Sequence, residues 1–385
     1  MSSDLTKKTL SKLKTVWTYG DDLKDILIKK QKNQTINVYL PARFDFIGGW
    51  TDTPPYYFDN PATVINATLD LGEGIKIGHS NMAIQIKIEP ANNFQYLHHN
   101  KNVNKDELII IKSILKFLKL KNPKIRININ NIIPRGSGLG GSSLLASGII
   151  TGIFSYYLGI EKTKKMLGKI VNYTLAVEQI MRSGGGWQDQ IGGIWPGIKI
   201  IKTSPKAFKE YHIETLPNSN LEKRCLIIDT LVTRHAAMIL HSLREKYIQK
   251  DKQTIQTLKK IRGNALLGWK LLNQEKYLDF GKVLSESWQA VCQIESGSRI
   301  AIVDTIEAAI GEEIAGLKIG GAGGGGFILI ILKDPKKRNV VITKIKTKLG
   351  QKIKIYKPKF NGPGLIIKQG QKIYTLKRKS KILIK

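Results

Sequence analysis

The sequence predicts a two-domain α+β protein. Three observations predict it. The chain has 385 residues, and at about 100–200 residues per domain that is two domains. Stretches of period-two alternation, such as Lys124-Ile-Arg-Ile-Asn-Ile-Asn130, are interspersed with long helical patterns, such as 234–293. Residues 124–158 run in the order strand, glycine-rich loop, apolar helix, and a loop of that kind offers bare N–H groups at a helix N-terminus.

In chain order, residues 4–30 read as an amphipathic helix and 36–40 as a strand. Pro41–Tyr56 reads as a loop: it mixes Arg43, two carboxylates, two glycines, Trp50 and three prolines, a poor composition for a core and a good one for a site. Strands are expected at 62–69, 73–78 and 83–88, a helix at 106–119, and the strand 124–130 leads into the glycine loop. The helix body Leu144–Leu158 follows, with Ser142 or Ser143 as its cap. A second helix covers 163–182 and a strand 197–202. The polar stretch near 204–222 marks the domain boundary, giving domains 1–212 and 213–385. Beyond it come a strand at 225–229, two or three helices in 234–293, a helix at 300–313, a strand at 317–319, a second glycine loop at 320–326 and a buried strand at 327–332. A helix at 336–349 and strands at 352–357 and 365–376 close the chain.

With 42% hydrophobic residues the chain can bury substantial cores. No transmembrane helix or signal-peptide core is expected. Cys225 and Cys292 sit in apolar company and read as core residues in a reducing cytoplasm. The formal charge is +32, and residues 333–385 hold eighteen Lys/Arg against the single acid Asp334. A basic face can serve nucleic acid. Here the lysines alternate with isoleucines and no aromatic platform accompanies them, so a solvated lysine surface is the reading and a nucleic-acid partner is not expected.

The chemistry gathers in three glycine-rich loops. Pro134-Arg-Gly-Ser-Gly-Leu-Gly-Gly-Ser-Ser143 has four glycines within six residues, followed by two hydroxyls. It has neither the Lys of a Walker A loop nor strict G-x-G-x-x-G spacing. Gly184–Gly186 and Gly320–Gly326 are the others. Carboxylates between the loops suggest a polyphosphate, metal and acceptor site assembled from distant segments. Magnesium takes oxygen ligands from one or two carboxylates or hydroxyls plus phosphates, which makes Ser142 and Glu178 candidates. Asp189 fits the group that faces an acceptor hydroxyl, and Arg43 fits the cation that stabilises a transferring phosphoryl group. Taken singly, each has a plainer reading: a solvated helix glutamate, a turn-capping Asp189, a surface salt bridge for Arg43, and an Asx cap for Asp52 before Thr53-Pro54-Pro55.

These segments resemble the three motifs of the GHMP kinase superfamily, which includes galactokinase, homoserine kinase, mevalonate kinase and phosphomevalonate kinase. Pro134–Ser143 resembles its ATP loop, Pro41–Asp52 its sugar-binding motif and Lys318–Phe327 its Gly-Ala-Gly-Gly-Gly motif. Within the superfamily, Gly48-Gly-Trp-Thr-Asp-Thr-Pro-Pro-Tyr56, Gly184-Gly-Gly-Trp-Gln-Asp-Gln190 and Phe360-Asn-Gly-Pro-Gly364 are most similar to the L-fucokinases, and next to the D-glycero-D-manno-heptose 7-phosphate kinases. The resemblance implies a two-domain α/β sandwich with the site in the interdomain cleft. It implies ATP held by Pro134, Gly136, Ser137, Gly138, Leu139, Gly140, Gly141, Ser142 and Ser143, with Mg²⁺ on Ser142 and Glu178. Asp189 would act on the anomeric hydroxyl and Arg43 on the phosphoryl group. Gly49, Trp50, Thr51, Asp52 and Trp187 would hold the sugar, and Gly321, Gly323 and Gly324 would close over it. The chain departs from the pattern at Gly141, where Ser or Thr is frequent, and in its basic C-terminal segment. No nucleotidyltransferase is expected before residue 36, so coupling to GDP-sugar synthesis is expected to need a separate protein. The competing readings are a heptose 7-phosphate kinase, and a catalytically silent sugar sensor or nucleic-acid-binding protein.

Overall fold

The computed structural model describes residues 34–99, 104–181, 183–233 and 236–384. The helix expected over 4–30 lies outside the described residues. Three β-sheets organise the rest.

A six-stranded sheet runs in the order Lys372–Thr375, Ile366–Gln369, Ile36–Leu40, Ile84–Pro90, Ile125–Asn131, Gln95–His98. Its strands follow from alternation: Ile125, Ile127 and Ile129 are buried, while Arg126, Asn128 and Asn130 are half-exposed. The apolar helix Gly141–Leu158 packs on this sheet, and every residue from Ser143 to Tyr157 is buried. Two glycines permit the approach. A Cβ on Gly148 would come 2.4 Å from Ile86 Cδ1, and one on Gly152 would come 2.8 Å from Ile88 Cδ1. The helix has the length and hydropathy of a membrane span, yet 83% of it is buried inside the protein. Its apolarity is accounted for by a core position wrapped on all sides.

A five-stranded sheet runs Lys381–Ile384, Tyr211–Thr215, Ile198–Thr203, Ala62–Leu69, Ala42–Ile47. Its last strand corrects the expectation of a loop at 41–56. Arg-Phe-Asp-Phe alternates, so Phe44 and Phe46 enter the core while Arg43 and Asp45 share the opposite face. The chain turns only after Ile47, through Gly48 and Trp50, both at positive φ.

A four-stranded sheet runs Ile314–Ile319, Phe327–Leu332, Cys225–Asp229, Lys354–Tyr356. One face packs Leu226, Ile228, Ile328 and Ile330 against Trp288, Val303, Ile306, Val341 and Ile345. The other face, with Ile227, Leu329 and Ile331, joins the main core. Burial on both faces explains the unbroken apolar run Phe327–Leu332.

The boundary expected at 212/213 falls inside the strand Tyr211–Thr215. The closing strands also return to the first two sheets. Ile366–Gln369 pairs with Ile36–Leu40, and Lys381–Ile384 pairs with Tyr211–Thr215. Residues 213–385 therefore do not form a separate unit. Cys225 is buried, Cys292 is half-buried, and both are free.

Candidate active site

The three glycine loops, Glu178 and Asp189 converge on one cleft of about 540 Å³. Its floor is the first loop. Gly140, at φ 79, caps the helix Gly141–Leu158, and no side chain caps it. The expected Ser142 or Ser143 cap is thus replaced by a glycine in the left-handed region. The N–H groups of the first turn are left facing the cleft, which is what an anion requires.

Arg43 reaches the cleft from the strand Ala42–Ile47. Its Nε and Nη2 donate to Asp189 Oδ1 at 2.8 and 2.6 Å, and its Nη1 donates to the Gly138 carbonyl at 2.6 Å. Arg43 is buried, whereas the Asp189 side chain keeps 22% exposure toward the cleft. Asp189 lies in the first turn of the helix Gln188–Ile194, a placement the helix dipole favours for an anion. Burial opposes the Arg43 charge, but Asp189, Asp45 and Asp52 raise its pKa above the ordinary value. Burial raises the Asp189 carboxyl, and the Arg43 guanidinium opposes that rise.

Glu178, near the end of the helix Leu167–Ile180, is buried. Ser143 Oγ donates to its Oε1 at 2.6 Å, and its Oε2 has no hydrogen-bond partner among the described residues. Burial pushes its pKa up to about 8. Asp52, expected to hold the sugar, is buried as well and does not line the cleft. Its Oδ2 accepts the Gln188 N–H at 3.0 Å, its Oδ1 has no partner among the described residues, and burial pushes its pKa up to about 7. A Cβ on Gly186 would come 2.0 Å from Asp52 Oδ2, so glycine is required for that turn to pass over the carboxylate.

Most of the expected site residues are brought together. Pro134, Gly136, Ser137, Gly138, Gly140, Gly141, Ser142, Ser143, Arg43, Trp50, Glu178, Asp189 and Gly321 line the cleft. Several take other places. The hydroxyl on Glu178 belongs to Ser143, not Ser142, because Ser143 faces inward on the first helical turn while Ser142 is exposed at the cleft. Trp187 is fully buried, edge-on to Tyr211 in the main core, and does not line the cleft. Leu139 is a core residue. Thr51 Oγ1 donates to the Gly48 carbonyl at 2.7 Å, so it holds the turn. Gly49 lies behind the cleft, beside Asp45 and Gln188. Gly323 and Gly324 pack on Ser298, whose carbonyl accepts the Gly324 N–H at 2.9 Å. Trp50 lines the cleft, yet it is anchored among Tyr56, Ile239, Leu243 and Ile294.

Sequence reasoning missed four neighbours. Gln188 lines the cleft with an Oε1 that has no partner among the described residues. Arg244 donates to the Pro54 and Gly184 carbonyls at 3.1 and 2.9 Å and to Gln179 Oε1 at 2.8 Å, tying the turn at Pro54 to the Gly184–Gly186 loop. Asp45 and Lys318 pair beneath the cleft. The Asp45 signal was present as the same-face partner of Arg43 in the alternation Arg43-Phe-Asp45, and Lys318 stands two residues before the second glycine loop. Gln188 and Arg244 carried no comparable signal.

Residues 108–197 match the model of the GHMP kinases N terminal domain. The solved galactokinase of Lactococcus lactis in complex with galactose superposes with a TM-score of 0.64 over 90% of this chain and 98% of its own, at 14% identity. The chain has a GHMP kinase N-terminal domain and the GHMP kinase fold. Among curated proteins it is 31% identical over 344 residues to a bifunctional fucokinase/GDP-fucose pyrophosphorylase of Arabidopsis thaliana, covering 83% of this chain and 32% of that one. It is 25% identical over 320 residues to a D-glycero-alpha-D-manno-heptose 7-phosphate kinase of Campylobacter jejuni, covering 80% of this chain and 92% of that one. The chain thus spans about a third of the length of the bifunctional plant relative.

Magnesium is the cofactor this fold implies. Among the described residues no cluster of three or more His, Cys, Asp or Glu side chains offers a protein cage. Magnesium bound with nucleotide phosphates does not require one. The unpartnered Glu178 Oε2, buried beside the Ser143 hydroxyl at the loop, fits a donor set of one carboxylate, one hydroxyl and phosphate oxygens.

Proposed function

We propose that the chain is a Mg-ATP-dependent sugar 1-kinase, with L-fucose as acceptor and L-fucose 1-phosphate as product. The observation that carries the reading is Asp189, held on Arg43 and facing the cleft between the Gly136–Ser143 loop and the Gly184–Gly186 turn. In this reading the loop and the first helical turn bind the ATP phosphates through backbone N–H groups. Glu178 with the Ser143 or Ser142 hydroxyl would hold Mg²⁺, whose contribution is neutralisation of phosphate charge. Asp189 orients the anomeric hydroxyl and accepts its proton. Arg43 keeps Asp189 in place and supplies positive charge to the transferring phosphoryl group, so transfer rests on positioning and electrostatics. Gln188, whose Oε1 is unpartnered among the described residues, meets sugar hydroxyls, Asp52 beneath Gly186 holds the Gln188 N–H, and Trp50 with Leu240 and Ala322 supplies the apolar wall for a 6-deoxy carbon.

The fucokinase-containing relative supports the acceptor assignment. A heptose 7-phosphate kinase is the second reading, favoured by the Campylobacter relative. Against it, the cationic side chains lining the cleft among the described residues are Arg43, engaged by Asp189, and Arg135, engaged by Asp106 at 2.6 Å. A separate nucleotidyltransferase would consume the product. We place the reaction in the cytoplasm, where the free thiols of Cys225 and Cys292 persist. Asp189→Asn tests the reading: it should lower turnover by about 10²–10⁴-fold with ATP affinity retained in calorimetry, and unchanged turnover would remove Asp189 from the mechanism.

A further inference from the structure

We infer that Asp45 and Lys318, which do not line the cleft, are positioning residues that hold the second glycine loop in register with Arg43. The kinetic part of this inference rests on the sugar-kinase reading; the structural part does not. Asp45 is fully buried on the strand that carries Arg43. A buried carboxylate is costly unless it is paired and hydrogen-bonded, and both oxygens of this one are engaged. Lys318 Nζ donates to its Oδ2, the Gly321 N–H donates to its Oδ1 at 2.6 Å, and Arg43 Nη1 lies 3.7 Å from the same Oδ1. Lys318 also donates to the Phe46 carbonyl at 3.1 Å.

These contacts close a ring. Asp45 fixes the Gly321 N–H. Gly321, at φ +65, presses on Gly138: a Cβ there would come 3.0 Å from Gly138 Cα. The Gly138 carbonyl accepts from Arg43, and Arg43 returns to Asp45. The phosphate loop, the second glycine loop and the arginine that holds Asp189 therefore share one buried carboxylate. An apolar pair of similar volume would serve stability as well or better. What it could not do is orient the Gly321 N–H and stand beside Arg43.

The test compares Asp45→Asn with the double variant Asp45→Leu/Lys318→Met, which removes both buried charges together and so avoids leaving either unpaired. Three readouts are taken on the full chain: thermal unfolding, steady-state kinetics with Mg-ATP and L-fucose, and amide hydrogen exchange of peptides covering residues 317–327. The double variant should unfold within a few degrees of the wild type. Its kcat should fall on the order of 10²-fold, the cost of misplacing a positioned group, while KM for ATP changes less than about threefold. Exchange at Gly321 should speed by at least about tenfold while the helix Gly141–Leu158 stays protected. A double variant that folds and keeps wild-type kcat would overturn the inference. So would unchanged Gly321 exchange. If the wild type itself phosphorylates no sugar, the acceptor reading fails, and the exchange result alone decides the positioning claim.

Discussion

At Glu178 and Asp52 burial works against ionisation, and both pKa values move up, to about 8 and about 7. In the unfolded chain these groups lose their protons near the ordinary carboxylate range. The native state therefore binds more protons through that window, and stability falls as pH rises. The magnesium-free protein should have a lower Tm at pH 8.5 than at pH 6, and Glu178→Gln should flatten that slope in a calorimetric pH series. A slope that persists unchanged in Glu178→Gln would assign it to other groups. Metal binding needs the deprotonated carboxylate, so affinity for Mg²⁺ in the presence of ATP should strengthen from pH 7 to 9 and lose that dependence in Glu178→Gln. Arg43 makes three hydrogen bonds from one planar fork, to Asp189 and to the Gly138 carbonyl. A lysine cannot reproduce that fork. Arg43→Lys should cost on the order of 10²–10³-fold in kcat, and a loss below about fivefold in steady-state assays would show that positive charge alone suffices.

At the scale of elements, the two glycine loops are packed backbone on backbone. Gly138 is at φ +73, and a Cβ there would come 2.5 Å from the Gly320 carbonyl oxygen. Gly138→Ala should destabilise the fold by about 1–3 kcal/mol and weaken ATP binding, read by calorimetry; wild-type ATP affinity in that variant would mean the loops separate freely. Much of this layer was legible in the sequence. The strands Ile36–Leu40, Ala62–Leu69, Cys225–Asp229 and Phe327–Leu332 stand where alternation or an apolar run puts them. The strand Ala42–Ile47 was hidden because Pro41, Gly48 and Gly49 bracket it and a buried arginine and aspartate interrupt its apolar pattern. Local pattern registers charge as solvent exposure; here the charges satisfy one another inside. The choice between Ser142 and Ser143 was equally illegible, since it depends on the rotation of one helical turn against Glu178. Trp187 misled for the converse reason: it neighbours functional residues in sequence, but the tight turn Gly184–Gly186 sends it into the core.

At the scale of the molecule, the interspersed strand and helix patterns gave the α+β class, and the first glycine loop gave the location of the cleft. It could not give the boundary. The closing segment completes two sheets begun hundreds of residues earlier, and long-range pairing leaves no local mark. Consequently a chain ending at residue 364 loses the strands paired with Ile36–Leu40 and Tyr211–Thr215, along with the buried Leu365, Ile366 and Ile367. It should lose its cooperative thermal transition, and a truncated chain with the wild-type Tm would contradict the topology. The basic excess lies partly on these strands, where Lys372 and Lys381 point to solvent beside half-buried Tyr374 and Ile382. The central claim is that the carboxylate at Asp189 and the phosphate loop act on one substrate pair, ATP and a free 6-deoxy sugar. The most direct measurement is phosphate transfer from Mg-ATP to a panel of L-fucose, other free hexoses and D-glycero-D-manno-heptose 7-phosphate, with the product read by ³¹P NMR. The account predicts an anomeric phosphate on L-fucose, formed with a kcat/KM at least about tenfold above every other acceptor. Preferential turnover of the heptose 7-phosphate, or no turnover of any sugar by folded protein, would contradict it.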